Sequence, residues 1–147
     1  MIENENKIIN SFRGKYRFLS NFHECEIGPF RSTEAAYQAF KSNDENVWKK
    51  FADLTPFEAK KLGNQLKLRS DWEEIKEETM YRLLLVKFAS EELAKMLLDT
   101  GDSELIEGNT WHDSYWGNCI CEKCGKGQNM LGKLLMKIRS ELKEEKV

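Results

Sequence analysis

The sequence predicts an α+β fold, a helix-rich single domain with a small β portion, and three observations predict it. Apolar residues recur at helical spacing in several stretches after residue 32, whereas extended character is confined to residues 16–30. No internal repeat, low-complexity tract or Pro/Gly/Ser linker divides the 147 residues, which is an ordinary length for one domain. With 40% hydrophobic and 11% aromatic residues, the chain can bury a core of its own despite 33% charged residues.

Tyr16, Phe18, Leu19, Phe22, Cys25, Ile27 and Phe30, broken by Asn21 and Gly28-Pro29, read as short extended segments joined by turns. Ser32 or Thr33 then caps a helix whose apolar positions Ala36, Tyr37 and Phe40 share a face, ending near Asn43. Val47, Trp48 and Phe51 form the next helical turns. Thr55-Pro56-Phe57-Glu58 supplies a capping threonine, a first-turn proline and a glutamate three residues past the cap, which together satisfy free amides at a helix start. Gly63 is placed to close that helix. Asp71-Trp72-Glu73-Glu74 repeats the device, and Trp72, Ile75, Thr79, Leu83 and Val86 carry a long helix to about Phe88. Ser90 caps a short helix bearing Leu93, Met96 and Leu97, with Gly101 as its stop. Residues 103–127 have no helical period and read as a loop. Met130, Leu131, Leu134, Leu135, Ile138 and Leu142 define a last amphipathic helix, whose Lys-Glu tail is expected to fray.

The 23 Lys+Arg against 25 Asp+Glu leave a net charge of -2, which argues against bulk binding of nucleic acid because neutralising phosphates needs a basic face. The charges are nonetheless uneven. Arg13, Lys15, Arg17, Arg31 and Lys41 gather early in the chain, whereas Asp71, Glu73, Glu74, Glu77 and Glu78 crowd the long helix start, so a local basic pocket for one phosphate or pyrophosphate stays open. The longest aliphatic run, Leu83–Val86, falls far short of the roughly 20 residues that cross a bilayer. Met1–Asn6 is acidic and polar where a secretion signal is basic and then apolar, so a cytoplasmic protein with no membrane partner is expected.

The loop is the chemically richest stretch, holding Glu107, Trp111, His112, Asp113, Tyr115, Trp116 and three cysteines. Such a loop suits a site where planar groups stack and carboxylates handle protons or hydroxyls, although Trp111, Tyr115 and Trp116 would equally serve to pin the loop to a core. Cys119, Cys121 and Cys124 are too closely spaced for a disulfide-stapled secreted domain. They bring together three soft donors as a structural zinc prefers, with a fourth to come from Cys25, His112 or His23; the alternative is a run of free thiols. A redox or nucleophilic role is the least favoured reading, since no Cys-His pairing follows from the sequence.

Six motifs in order give the sequence a resemblance to the NADAR family, the YbiA-like N-glycosidases. They are Phe18-Leu19-Ser20-Asn21-Phe22; Ser32-Thr33-Glu34-Ala35-Ala36-Tyr37-Gln38-Ala39-Phe40-Lys41; Lys87-Phe88; Leu98-Asp99-Thr100-Gly101-Asp102 with Leu105-Ile106-Glu107; Asp113-Ser114-Tyr115-Trp116-Gly117; and Gly127-Gln128-Asn129-Met130-Leu131-Gly132-Lys133-Leu134-Leu135-Met136 with Arg139. The likeness spans roughly residues 12–142. The cysteine segment stretches the interval between the Trp-Gly and Gly-x-Asn motifs relative to family members lacking it.

The resemblance implies hydrolysis of N-glycosidic bonds to ribose. The substrate would be a phosphoribosylamino-pyrimidine intermediate of riboflavin synthesis or ADP-ribose attached to guanine, with water as co-substrate and no cofactor needed for catalysis. Such a bond breaks through an oxocarbenium-like sugar cation while the nitrogen leaving group takes up a proton, and carboxylates suit both tasks. The matched acids are Glu34, Glu107 and Asp113, ranked in that order. Near a helix start Glu34 is favoured as an anion, suited to charge stabilisation or water activation, unless it is simply a surface acid. Glu107 and Asp113 would bind ribose hydroxyls, hold a water or pair with Glu34, unless they are ordinary loop acids that cap backbone amides. Among candidate binding residues, Trp116 with Gly117 would lay an indole against a base, and Asn21 and Asn129 would meet a ribose or base edge. Phe22 belongs to the same motif as Asn21. Lys41 and Lys87 would meet a phosphate or the charge developing on the leaving base, if they are not merely solvated. Two other classes remain open: a module that binds ADP-ribose or a related nucleotide without cleaving it, and a Cys-rich loop that binds single-stranded nucleic acid. The sequence leaves the oligomeric state undetermined.

Overall fold

The computed structural model describes residues 7–145; Met1–Asn6, Lys146 and Val147 lie outside them. The architecture is α+β, and the chain divides into two units, one of Asn21–Ser90 and one built from both ends of the chain, up to Ser20 and from Glu91 onward.

The middle unit opens with a hairpin. Strands β2 (Glu24–Ile27) and β3 (Phe30–Ser32) pair antiparallel, with Ile27 opposite Phe30, across a turn in which Gly28 takes a φ of +59°. Helix α1 (Thr33–Ala39) follows β3 directly and is buried along its whole length. Its start is capped as expected: Ser32 Oγ accepts the Ala35 N–H at 3.0 Å. After α2 (Glu45–Lys49), helix α3 (Pro56–Gly63) begins with the anticipated reciprocal cap, Thr55 Oγ1 accepting the Glu58 N–H and Glu58 Oε1 accepting the Thr55 N–H. Gly63 ends α3, but not by a left-handed turn. It is needed because a Cβ there would collide with the Gln38 side chain, so the glycine lets α3 lie close against α1.

Helix α4 (Trp72–Lys87) departs from the sequence reading in two ways. Asp71 does not cap it, because its carboxylate faces Arg69 instead, with Nε to Oδ1 at 2.7 Å. The buried face is Trp72, Met80, Leu83, Leu84 and Lys87, whereas Val86, expected inside, is 50% exposed. Packing of α4 against α1 and β2 fixes this phase.

In the unit built from both ends, β1 (Ile8–Ile9) pairs parallel with β4 (Glu104–Leu105). Residues 16–19, expected to be extended, belong instead to a 3-10 helix (Gly14–Leu19) entered at Gly14, φ +58°, which buries Phe18 and Leu19. Helix α5 (Glu91–Leu98) packs with α6 (Met130–Glu145). Arg139 of α6 donates to Thr100 Oγ1 and to the Ser103 carbonyl, both at 2.8 Å, which fixes the chain leaving α5. The carboxyl-terminal tail stays helical through Glu145, helped by the Lys143–Asp102 ion pair at 2.7 Å. The expected loop carries two short strands, β5 (Gly108–Asn109) and β6 (Asn118–Cys119), paired parallel.

Candidate functional site

The first acid group is built on α1. Glu34 lies in the first turn and is only 7% exposed. Helix starts leave unpaired N–H groups that nearby carboxylates usually take up. Here Ser32 Oγ and the Asn21 carbonyl, which accepts the Glu34 N–H at 3.0 Å, perform that task. The Glu34 carboxylate instead meets Gln38, one turn on, whose Nε2 donates to Oε2 at 2.6 Å. In the same unit three buried polar atoms, Asn21 Oδ1, Thr33 Oγ1 and Gln38 Oε1, the last on the partner of Glu34 itself, have no hydrogen-bond partner among the described residues. Unmet buried polar atoms beside an acid are what a polar ligand or water would satisfy.

Cations complete the group. Burial pushes the Lys41 ammonium below its ordinary value, outweighing the attraction of Glu34, and Lys60 pushes the same way. The Lys60 ammonium also lies 5.8 Å from the Phe22 ring centroid, and Phe57 packs edge-on against Phe22 at 4.8 Å. Arg31, counted in the early basic cluster, is engaged with Glu24 and the Asp53 carbonyl. Lys87 is 1% exposed, and burial pushes its ammonium down to about 8, partly opposed by Cys25; the same burial pushes the Cys25 thiol up. Gln38 and Lys60 were not singled out from sequence. The first lies in the second family motif, four residues after Glu34, and the second is brought in by tertiary packing.

The second acid group lies in the loop of the other unit and is organised by Asn109, which is 2% exposed. Its Nδ2 donates to Glu107 Oε1 at 3.3 Å and the Asp113 carbonyl at 2.9 Å, and its Oδ1 accepts from Trp111 N and Asp113 N. Asp113 Oδ1 accepts from Tyr115 N at 3.1 Å and Trp116 N at 2.9 Å, the aspartate turn that was the plainer of the two sequence alternatives. Trp116 packs edge-on against Tyr115, with centroids 4.9 Å apart. Asn129 has φ +52° and both ends of its amide held: Oδ1 accepts the Glu107 N–H and Nδ2 donates to the Leu105 carbonyl, each at 2.9 Å. Its role in this arrangement is to clamp the backbone that carries Glu107. Gly117 is required there too, since a Cβ would collide with Glu107. Asn109 gave no sequence signal because its partners, Glu107, Trp111 and Asp113, are met in an irregular stretch with no helical or strand period.

The cysteine cluster acquires a fourth donor, and it is His112. Its Nδ1 stands 3.2, 3.5 and 3.7 Å from Sγ of Cys124, Cys121 and Cys119, and the four donor atoms all lie within 4.8 Å of one another. Contact with Cys124 pulls the Cys121 thiol down to about 6, and contact with Cys121 pushes Cys124 up to about 11. All four cysteines are free, and this set of one histidine and three cysteines could hold a metal ion.

Among the described residues no helix is long and apolar enough to cross a membrane. The NADAR domain family model matches residues 9–143. An N-glycosidase YbiA of Shigella flexneri is 39% identical over 97% of this chain and 92% of its own length. A riboflavin biosynthesis protein of Vibrio vulnificus is 36% identical over 86% of this chain and 36% of its own length. The solution structure of the Escherichia coli protein YbiA superposes with a TM-score of 0.84 at 34% identity, covering 98% of this chain and 89% of that one. The chain therefore belongs to the NADAR family and is an N-glycosidase of that family.

Proposed function

We propose that the chain hydrolyses the N-glycosidic bond between ribose and a nitrogen base, with a phosphoribosylamino-pyrimidine intermediate of riboflavin biosynthesis as substrate. The observation that carries this reading is Glu34: a buried acid held by Gln38 at 2.6 Å, whose own Oε1 is buried without a partner among the described residues. In the reaction the C–N bond opens toward a ribosyl cation, which the Glu34 carboxylate stabilises; water adds to the sugar carbon, Glu34 takes the proton that water gives up, and that proton passes on to the leaving nitrogen, which departs as the neutral amine. Asn21 is the candidate contact to a ribose hydroxyl, Phe22 borders the sugar or base, and Lys41 meets the substrate phosphate or the charge on the leaving base. The riboflavin assignment is supported by the name of the Vibrio vulnificus relative. The protein acts in the cytoplasm on a small nucleotide, as one domain. The donors of His112 and the three cysteines suit zinc, which takes thiolate and imidazole ligands tetrahedrally and is assigned no part in bond cleavage.

Sugar release tests the proposal. Purified protein is incubated with the phosphoribosylamino-pyrimidine and, separately, with ADP-ribosylated guanine nucleotide while free sugar is followed. Release of ribose 5-phosphate from the first is the expected result. Release of ADP-ribose alone would move the substrate to guanine adducts, and tight binding without release of either sugar would overturn the enzyme reading in favour of a nucleotide-binding module.

A further inference from the structure

We infer that zinc held by His112, Cys119, Cys121 and Cys124 is a positioning device for the acid-bearing loop: it fixes the shape of residues 107–117. The inference rests on the zinc assignment above, and its first support is fit. A tetrahedral zinc with Zn–S of about 2.3 Å and Zn–N of about 2.0–2.1 Å has donor-to-donor edges of roughly 3.5–3.8 Å. Four of the six edges, 3.2, 3.5 and 3.7 Å from His112 Nδ1 and 3.3 Å between the Cys121 and Cys124 sulfurs, are close to that figure, and all six lie within 4.8 Å.

Backbone conformation gives the second support. His112 holds φ +69°, a left-handed conformation that non-glycine residues rarely adopt unless the surroundings impose it. Its neighbours on both sides, Trp111 and Asp113, are tied through their N–H groups to Asn109 Oδ1, so the strained residue projects its imidazole from a fixed base.

A third support is what holds the loop otherwise. Residues 114–117 are held by their carbonyls, which accept the N–H groups of residues 128–131, but Trp111 is 48% and Ile120 is 69% exposed and His112 is exposed as well, so burial of apolar surface does not account for a defined shape at residues 110–112 and 120–124. The two donors nearest the acids are placed to supply that order. His112 precedes Asp113 directly, and Cys119 lies opposite Asn109 in the β5–β6 pair, where the Ile120 N–H donates to the Asn109 carbonyl at 2.8 Å. Asn109 in turn holds Glu107 Oε1 and the Asp113 carbonyl. A single ion therefore ties together both loop strands around the residue that orients Glu107 and Asp113.

The test uses the full chain. Purified protein is expected to carry about one zinc per chain, and cobalt(II) exchanged for it to give the thiolate charge-transfer and intense visible bands of a tetrahedral site with three sulfur ligands and one nitrogen. Chelation is expected to speed amide hydrogen exchange across residues 107–129 while leaving α1 and α4 unchanged, with zinc restoring protection. The conservative variant His112→Cys should retain metal and loop protection, whereas Cys121→Ser with Cys124→Ser should lose both. Failure to bind zinc or cobalt after reconstitution would overturn the inference, and so would a metal whose removal leaves loop exchange unchanged. If the holoprotein releases no sugar from either substrate, the proposed function fails, while metal content and exchange still decide the inference.

Discussion

Glu34 and Asp113 are both acids near unpaired backbone amides, yet they end in different employment. In the loop no regular ladder satisfies the N–H groups of Tyr115 and Trp116, so Asp113 Oδ1 takes both. At the α1 start, Ser32 and the Asn21 carbonyl have already taken the amides of Ala35 and Glu34, which leaves the Glu34 carboxylate to a side-chain partner. Glu58 makes the contrast within a single residue type: at the third position of α3, it turns back to its cap and is committed there. An acid is available for chemistry where something else has met the backbone's needs.

The largest expected effect tests that contrast directly. Glu34→Gln should keep fold and ligand affinity while kcat falls at least about 100-fold, as loss of general acid–base help does; unchanged turnover would remove Glu34 from the mechanism. Next comes the buried cation of the same unit. Lys87 has an ordinary value of 10.5 and a folded value of about 8, so between those pH values the unfolded chain holds the proton more tightly. Stability should therefore rise as pH goes from about 8 to 10.5, by on the order of 3 kcal/mol at most, and Lys87→Met should flatten that slope in denaturant titrations. Gly63→Ala acts at one remove: the new methyl displaces Gln38, and kcat should fall about tenfold with KM little changed if aiming Glu34 is what the glycine protects. Thr55→Ala breaks a cap that carries no chemistry and should lower stability by about 1 kcal/mol without altering kcat. The smallest effect is expected of Asp113→Asn, because an amide oxygen accepts the same two N–H groups; kcat within about twofold of the parent is expected. A loss as large as that of Glu34→Gln would break the contrast.

What was legible in sequence was local. The caps at Ser32 and Thr55, the placement of Glu34 on a helix, and the turn-forming alternative for Asp113 all follow from residues within four positions of one another. The phase of α4 was not legible, because an apolar pattern selects Val86 and passes over Lys87, and only packing against β2 and α1 buries a lysine whose stem is apolar. Residues 14–19 share the composition of a strand, and it is the i-to-i+3 bonds from Tyr16 N to Arg13 O and from Ser20 N to Arg17 O that make them a 3-10 helix. The sequence left Cys25, His23 and His112 open as the fourth soft donor, and the choice among them depended on a left-handed residue that no pattern announces.

The cysteine segment also behaves as a cassette. The Gly127 N–H is held by Asn118 Oδ1 at 2.7 Å, and a Cβ on Gly127 would collide with Gly117 and Asn118, so the excursion leaves and re-enters the fold at nearly the same point. Closing such a loop costs only about 0.6 kcal/mol more for each doubling of its length. Residues 125–126, between the last of the metal donors and Gly127, can therefore be lengthened at little cost so long as Cys121 and Cys124 stay in place, which makes this the natural place to graft a new segment onto the chain.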